Sequence, residues 1–409
     1  MTVAATISQP LTMDPTTTES DLLAAARSLV PVLRSRYAET ETLGRLPAST
    51  LKEMEQARLF DVLVPKRYGG LQTSLRTFMD VVVELGKGDG SVSWTHSLLA
   101  GGNWIAAAIY PEQVLEEVFS QPNIRLAGVM TGRGVKTRRM EDGILIEEGV
   151  WSFNSGIHHA QWDGLGIPLK DDTGKVIDTA FAMIPTSQIT LLNDWDTVGL
   201  RGTGSVSVSV KDVFVTNERI APVSKAFSGR YDYAGNPMGS EGLYRLPLMP
   251  FFAMRLVWPA LGMAKAALEL FLEKAPSRII PFAPYEKQDD APVTHIQFAE
   301  ASVKIDAAEL LLRRAVDDLD AITQNNTKLT LQQRARMWAD VGVASRMIWE
   351  AVDLLAGASG GSSAHKTHPM NRIWRDVRVA GMHAVLNPTT AMEALGRVLL
   401  GKDPKAPFL

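Results

Sequence analysis

The sequence predicts a chain that is helical at both ends and β in the middle. Three observations carry that expectation. Apolar residues recur at three-and-four spacing through the first quarter of the chain. In the middle, glycines become frequent and one segment alternates at period two. After a loop rich in Gly, Tyr and Asn, long amphipathic periods return. These shifts place a Thr-rich arm at 1–18, expected to be disordered, and an N-terminal α-helical domain at 19–122. A central β-domain follows at 123–225, then a C-terminal four-helix bundle at 226–409.

Taken in order, Leu22, Leu23, Ala26, Leu29, Val30 and Leu33 make the first apolar stripe. Pro47 opens the next helix at a first-turn position, where its missing N–H costs nothing. The loop VPKRYGG (Val64–Gly70) precedes a helix from Ser74 to Gly86. Ser91–Tyr110 is almost uncharged, the mark of a helix buried on most sides. Trp94, His96, Asn103 and Trp104 are its polar or aromatic groups. Gly143–Gly149, Lys175–Ile184 and Ser205–Val215 read as strands, the last because Val206, Val208 and Val210 alternate with Ser and Lys. Further on, Leu261/Ala264/Leu268/Phe271, Phe298/Ala301/Ile305/Ala308/Leu312/Leu319 and Trp338/Val341/Ile348/Val352/Leu355 are three helical stripes. A fourth runs through Met382, Val385, Met392, Leu395 and Leu399, around His383. Four such helices in succession suggest an antiparallel bundle.

Composition excludes several chemistries. With no cysteine, thiolate nucleophiles, Fe–S clusters, disulfides and Cys-type zinc sites are ruled out. A net charge of −3 without a basic stripe argues against nucleic acid. The start has neither a basic n-region nor an apolar h-region, and no run approaches the ~20 apolar residues of a membrane span. The expectation is a cytoplasmic protein with no membrane contact. His158 and His159 are adjacent and point apart on most backbones, so no metal is expected. Gly132–Gly134 lacks the strand–turn–helix context of a dinucleotide fingerprint, so direct use of NAD(P)H is doubtful.

Two local patterns stand out in the middle: WSFNSG (Trp151–Gly156) and GLRGTGS (Gly199–Ser205). Glycine turns let backbone N–H groups approach a ligand, and hydroxyls beside them can bond to it. Each alone is no better than an ordinary turn. Near the C-terminus, IWRD (Ile373–Asp376) is followed by GMHAVLNP (Gly381–Pro388). His383 there reads as a buried base or as a core histidine bonded to a carbonyl.

Together and in this order, WSFNSGIHHAQW, DTVGLRGTGS and RIWRDVRVAGMHAVLN, with VPKRYGG ahead of them, resemble the acyl-CoA dehydrogenase superfamily over about residues 21–400. The resemblance implies an acyl-CoA dehydrogenase-like fold: an N-terminal α-domain, a central β-barrel, a C-terminal four-helix bundle and a homotetramer. Flavin would lie between the β-domain and the bundle. Dehydrogenases of that superfamily use a glutamate base, either shortly after the Arg-Asp pair or just before an Arg-Leu in the first bundle helix. Those places hold Ala384 and Met254, so the base for α-proton abstraction is missing.

A histidine in the place of His383 is similar instead to the oxygenase components of two-component flavin-dependent monooxygenases, which hydroxylate phenols, indoles or thiophenes. That likeness implies reduced FMN or FAD delivered by a separate NAD(P)H-dependent flavin reductase, molecular oxygen as co-substrate, and a C4a-hydroperoxide on the flavin. It implies Ser155 beside flavin N5 and His383 orienting or deprotonating a small aromatic substrate. Trp151, Phe153, Thr203 and Ser205 would surround the cofactor. Arg278 would meet its phosphate, and Gly361, in the glycine-serine loop, would reach it from a neighbouring subunit. Many of these oxygenases carry a histidine in the buried N-terminal helix, in a pattern like A-V-H-N-W; here AGGNW puts Gly102 in that place. His96 and Asn103 then become substrate candidates, with Trp195 as a wall, and the small residues Gly101 and Gly102 suggest a pocket roomy enough for a bicyclic ring. An acyl-CoA dehydrogenase with an unrecognised base, an N-oxygenase of an amino group and a catalytically idle flavin-binding relative are the alternatives.

Overall fold

The structure, a computed structural model, describes residues 17–409 apart from 228, 326 and 407. Of the expected arm only Thr17 and Thr18 are among the described residues. Thr18 caps the first helix: its Oγ1 accepts from the Asp21 N–H while the Asp21 carboxylate accepts from the Thr18 N–H, a reciprocal pairing that satisfies two free ends.

The N-terminal helices are α1 (Glu19–Leu43), α2 (Ala48–Gln56), α3 (Leu75–Gly88), α4 (Gly90–Ile109) and α5 (Glu112–Val118). α3 packs on α1 and on the first long C-terminal helix, and α4 lies between that helix and the sheets. α4 is buried along nearly its whole length. Its start is fixed by Asp89, whose carboxylate accepts from the N–H groups of Ser91 and Val92.

The strands are β1 (Leu126–Val129), β2 (Arg133–Met140), β3 (Gly143–Trp151), β4 (Trp162–Lys170), β5 (Val176–Pro185), β6 (Thr190–Leu191), β7 (Val208–Thr216) and β8 (Ile220–Pro222). They form two open four-stranded sheets, ordered β1-β4-β5-β8 and β2-β3-β7-β6. The expected barrel is therefore corrected. β6 has two residues and β8 three, too short to carry hydrogen bonding from one sheet into the other. One pairing positions the site. β3 and β7 run antiparallel with Trp151 opposite Val208, so the residues leaving β3 and those entering β7 emerge side by side. The association continues past the strands: Asn154 N–H donates to the Val206 carbonyl at 3.2 Å and Gly156 N–H to the Thr203 carbonyl at 3.0 Å.

The C-terminal part begins with the short α6 (Ser224–Phe227) and continues with α7 (Leu248–Lys274), α8 (Pro292–Asn325), α9 (Leu331–Ala358), α10 (Pro369–Gly381) and α11 (Pro388–Leu399). α9 packs against α7, α8, α10 and α11. α7 holds an 18-residue window of mean hydropathy 1.3, apolar enough to cross a membrane, which the sequence reading overlooked; 83% of it is buried inside the protein, as befits a core helix. The helix expected to run through His383 is broken. Pro388 has no N–H to continue a helix from above, and Asn387 caps the new start, accepting from Thr389 and Thr390. His383 sits in that break, between α10 and α11.

Candidate active site

A chain of hydroxyls lies where β3 and β7 diverge. Trp94 Nε1–H donates to Ser155 Oγ at 3.2 Å, Ser155 and Ser205 share a 2.6 Å contact, and Ser205 and Thr203 one of 2.7 Å. Thr203 Oγ1 donates to the Leu200 carbonyl at 2.8 Å. All four side chains are buried. The two ends fix the direction, because an indole N–H only donates and a carbonyl only accepts. Thr203 gives its proton to Leu200, so it accepts from Ser205, and Ser205 in turn accepts from Ser155. Ser155 thus spends its proton and one lone pair, leaving a second lone pair for a ligand. Sequence reasoning found Ser155, Thr203 and Ser205; it singled out Trp94 only as an aromatic in a buried helix.

The far end of the chain is tied to α10. Leu200 N–H donates to Asp376 Oδ1 at 2.6 Å. The other oxygen of Asp376 takes Arg372 Nε at 3.3 Å, while Arg372 Nη2 reaches Asp89 Oδ2 at 2.8 Å. Gly199 allows the approach, since a Cβ there would lie 2.4 Å from the Arg375 carbonyl oxygen. Burial pushes the Asp376 carboxyl up to about 6, against the opposing pull of Arg372. The IWRD and GLRGTGS motifs are therefore one mechanical unit, joined through a buried carboxylate.

His383 is reached by solvent but flanked by protein. That surrounding mass and the Arg255 guanidinium push its imidazole down to about 4. Val385 N–H donates to His383 Nδ1 at 3.2 Å, so the neutral ring carries its proton on Nε2. This geometry gives His383 a donor to offer rather than a vacant base. Trp94 links it to Ser155: the indole that bonds Ser155 has its ring centroid 6.0 Å from that of His383.

Ser155 also lines a cavity between α4, α7 and the β1–β4–β5 sheet, with Leu98, Ile105, Tyr110, Phe181 and Phe252 among its apolar walls. Arg255, which enters from α7, is the sole charged residue lining it among the described residues, and no carboxylate does. The sequence treated Arg255 only as a landmark beside Met254. Its signal was available: it is the lone charge in the otherwise uncharged stretch from Leu246 to Ala264.

Gly102 lines this cavity and Gly101 does not, and the room that their side chains would take is not left open. A Cβ on Gly101 would meet Arg255 Nη1 at 2.1 Å, and one on Gly102 would meet the Leu126 carbonyl oxygen at 2.2 Å. The missing side-chain volume is filled by the guanidinium and by the backbone of β1.

The structure does not bring His96 or Asn103 to the cavity lining. His96 is fully buried between Phe60 and Phe78, with Nε2 bonded to the Leu59 carbonyl at 2.8 Å. Burial pushes its imidazole down to about 4. Asn103 spends its amide on the carbonyls of Phe60 and Ile124. Both are packing residues here.

The remaining candidates divide. Trp151 is buried, with Nε1 donating to the Gly166 carbonyl at 2.9 Å, so its ring serves the sheet core rather than a ligand. Phe153, by contrast, is 73% exposed and holds a left-handed φ of +66°, a conformation uncommon for a bulky residue. Its ring meets Trp195 edge-on at 6.0 Å, and Trp195 Nε1 donates to the Leu200 carbonyl. Arg278 bonds Gln288, which bonds the Ala358 carbonyl, and it lies near His368, the N-cap of α10. Arg278 and exposed Gly361 thus belong to the beginning of α10, and His383 follows its end, roughly 20 Å away by helix rise. Within one chain they lie at the opposite end of α10 from His383.

Residues 16–113 match the acyl-CoA dehydrogenase N-terminal domain, and residues 254–388 match the acyl-CoA dehydrogenase C-terminal domain. The chain is 31% identical over 384 residues to the flavin-dependent monooxygenase oxygenase subunit HsaA of Mycobacterium tuberculosis, covering 94% of this chain and 96% of that one. It is 28% identical over 399 residues to the FADH2-dependent resorcinol hydroxylase oxygenase component of a Rhizobium species, covering 95% and 96%. Among solved structures, XiaF from a Streptomyces species in complex with FADH2 and glycerol aligns with a TM-score of 0.88 at 30% identity, covering 96% of this chain and 98% of that one. Agreement of this extent in both sequence and fold means that the chain belongs to the flavin-dependent monooxygenase oxygenase subunits, built on the acyl-CoA dehydrogenase fold.

Proposed function

We propose that this enzyme uses reduced flavin, supplied by a separate reductase, and molecular oxygen to hydroxylate a small aromatic or heteroaromatic substrate in the cavity beside Ser155. The observation that carries the reading is the oriented hydroxyl chain ending on that cavity. The lone pair left on Ser155 suits the N5–H of a reduced isoalloxazine, and exposed Phe153 and Trp195 offer apolar surface to a flat ring. When bound, the flavin would supply the two electrons that activate oxygen. The protein's part is to hold N5–H through Ser155, to exclude water with apolar walls, and to orient the substrate oxygen with the His383 Nε2–H. Among the described residues no carboxylate lines the cavity, which disfavours an acyl-CoA dehydrogenase, and Arg255 in its wall disfavours the ammonium of an amine. In the same reading α7, α8, α9 and α11 form the four-helix core of a homotetramer, in which Arg278 and Gly361 of one chain meet the flavin of another.

The test is single-turnover mixing of the anaerobic reduced-flavin complex with oxygen in the presence of phenols, indoles and thiophenes. Hydroxylated product is expected to match the flavin oxidised, with little hydrogen peroxide released. Reoxidation at the rate of free flavin, with peroxide as the sole product, would overturn the reading.

The pH profile gives a second expected result. His383 is held near 4, well below an ordinary imidazole near 6.5, so it stays neutral and donor-ready as pH falls through that range. Turnover over pH 5.5–8 should show no limb near 6.5 that disappears in His383→Asn. Such a limb would mean that His383 titrates as a free base.

A further inference from the structure

Arg255 is a buried cation with no counter-ion among the described residues. Its residue exposure is 8%, and among the described residues no carboxylate lies within ion-pair distance of it. Nη1 donates to the Leu98 carbonyl at 3.0 Å, Nε is enclosed with no acceptor, and Nη2 has none among the described residues. What surrounds the charge is aromatic: the guanidinium carbon stands 4.7 Å from the Phe252 centroid and 5.8 Å from that of Phe251. Those faces offset part of the cost of burying it, but a guanidinium so enclosed ordinarily meets a carboxylate or phosphate. Burial alone pushes it down to about 9, with no acid to hold it up. The fold makes room for it deliberately, because any side chain at position 101 would occupy the place of Nη1. It also faces the cavity that Ser155 lines.

We infer that Arg255 is the substrate-anchoring cation, and that the aromatic substrate carries a carboxylate which closes the ion pair left open in the cavity wall. The inference rests on the oxygenase reading and names the substrate class for it. A carboxylate on Arg255 would fix one end of the molecule against α7 and leave its ring among the apolar walls, with its far side toward Ser155. The anchored acid satisfies a donor that is otherwise wasted, so charge and orientation come from one contact. Neutral aromatics of the same shape would enter the cavity but leave the guanidinium uncompensated.

The experiment is equilibrium titration of the full-length protein with reduced FAD bound, under anaerobic conditions, followed by tryptophan fluorescence. The probes are benzoate, 4-hydroxybenzoate, 4-hydroxyphenylacetate and indole-3-acetate, each beside its primary amide, with phenol as a bare-ring control. At least one acid is expected to bind on the order of 10-fold more tightly than its amide, as a charge-assisted bond to a buried group provides. Arg255→Gln should erase that preference while leaving the amide within about twofold, and Arg255→Lys should restore part of it. If no acid outbinds its amide, or Arg255→Gln weakens acid and amide equally, the inference is wrong. A fall in reduced-FAD affinity in Arg255→Gln would assign the charge to the cofactor instead. Phenol binding that tightens as its hydroxyl ionises would assign it to a phenolate; either result also overturns the inference. Should Arg255→Gln fail to fold, the acid-against-amide comparison on the wild type and on Arg255→Lys still decides. Peroxide yield in single turnover reports on the oxygenase reading separately, so failure of either is recognisable.

Discussion

Asp376→Ala is expected to lower both stability and coupling. The substitution leaves the Leu200 N–H without its acceptor and takes one of two carboxylates from the buried Arg372. Removing one partner of a buried ionic network typically costs about 3 kcal/mol or more, so the midpoint of denaturant unfolding should fall clearly below that of the wild type. The functional part of the effect is more specific. Leu200 also receives the last hydrogen bond of the hydroxyl chain, and freeing its N–H loosens that carbonyl. Product formed per reduced flavin should therefore fall even under conditions where the variant remains folded. Asp376→Asn, which keeps the acceptor but not the charge, should recover more of the coupling than of the stability. Equal loss of both in the two variants would separate the ion pair from the hydroxyl chain.

Ser155→Ala is expected to have the larger effect on chemistry and a small one on folding. It removes the atom with a free lone pair at the cavity and leaves the Trp94 N–H and the Ser205 hydroxyl facing a methyl group. Losing one preorganised hydrogen-bonding group at a reacting centre costs roughly 100-fold in many enzymes. The partition between hydroxylated product and peroxide should shift by that order, measured in the same single-turnover mixing. Ser205→Ala tests whether orientation matters: it leaves Ser155 in place but frees its proton to point elsewhere. An intermediate loss in Ser205→Ala would support the oriented chain, and wild-type behaviour would show that Ser155 acts alone.

Much of this site was legible in the residues, but only as types. The hydroxyls of WSFNSG and GLRGTGS announced themselves, and the alternation of Val206, Val208 and Val210 placed them at the start of a strand. The register that sets Trp151 opposite Val208 did not, because pairing across more than fifty residues leaves no local signal. The apolar period around His383 pointed to a continuous helix, yet Pro388 and the Asn387 cap broke it; the breaker was visible and was outweighed by periodicity. His96 and Asn103 carried the right functional groups in the right helix, and only packing tells that both face the core carbonyls of Leu59, Phe60 and Ile124. The central barrel is not shown, because the two sheets stay open, each with a very short strand at one edge. Arg255 was plain as a charge in an apolar helix, but nothing in the sequence says that no described residue supplies its counter-ion.

The polarity of the hydroxyl row has a further consequence for proton traffic. Its head is an indole N–H, which does not ionise in water, and its tail is an amide carbonyl, which cannot pass a proton onward. A wire sealed at both ends conducts nothing. Ser155 can hold a partner firmly in place, but it cannot relay a proton between the cavity and the outside. Whatever proton the reaction consumes must then arrive by a route that bypasses this row; His383, on the other side of the same indole, is reached by solvent, but its Nδ1 is already filled by the Val385 N–H. The hydroxyl row is thus built to hold rather than to relay, insulated from the water outside.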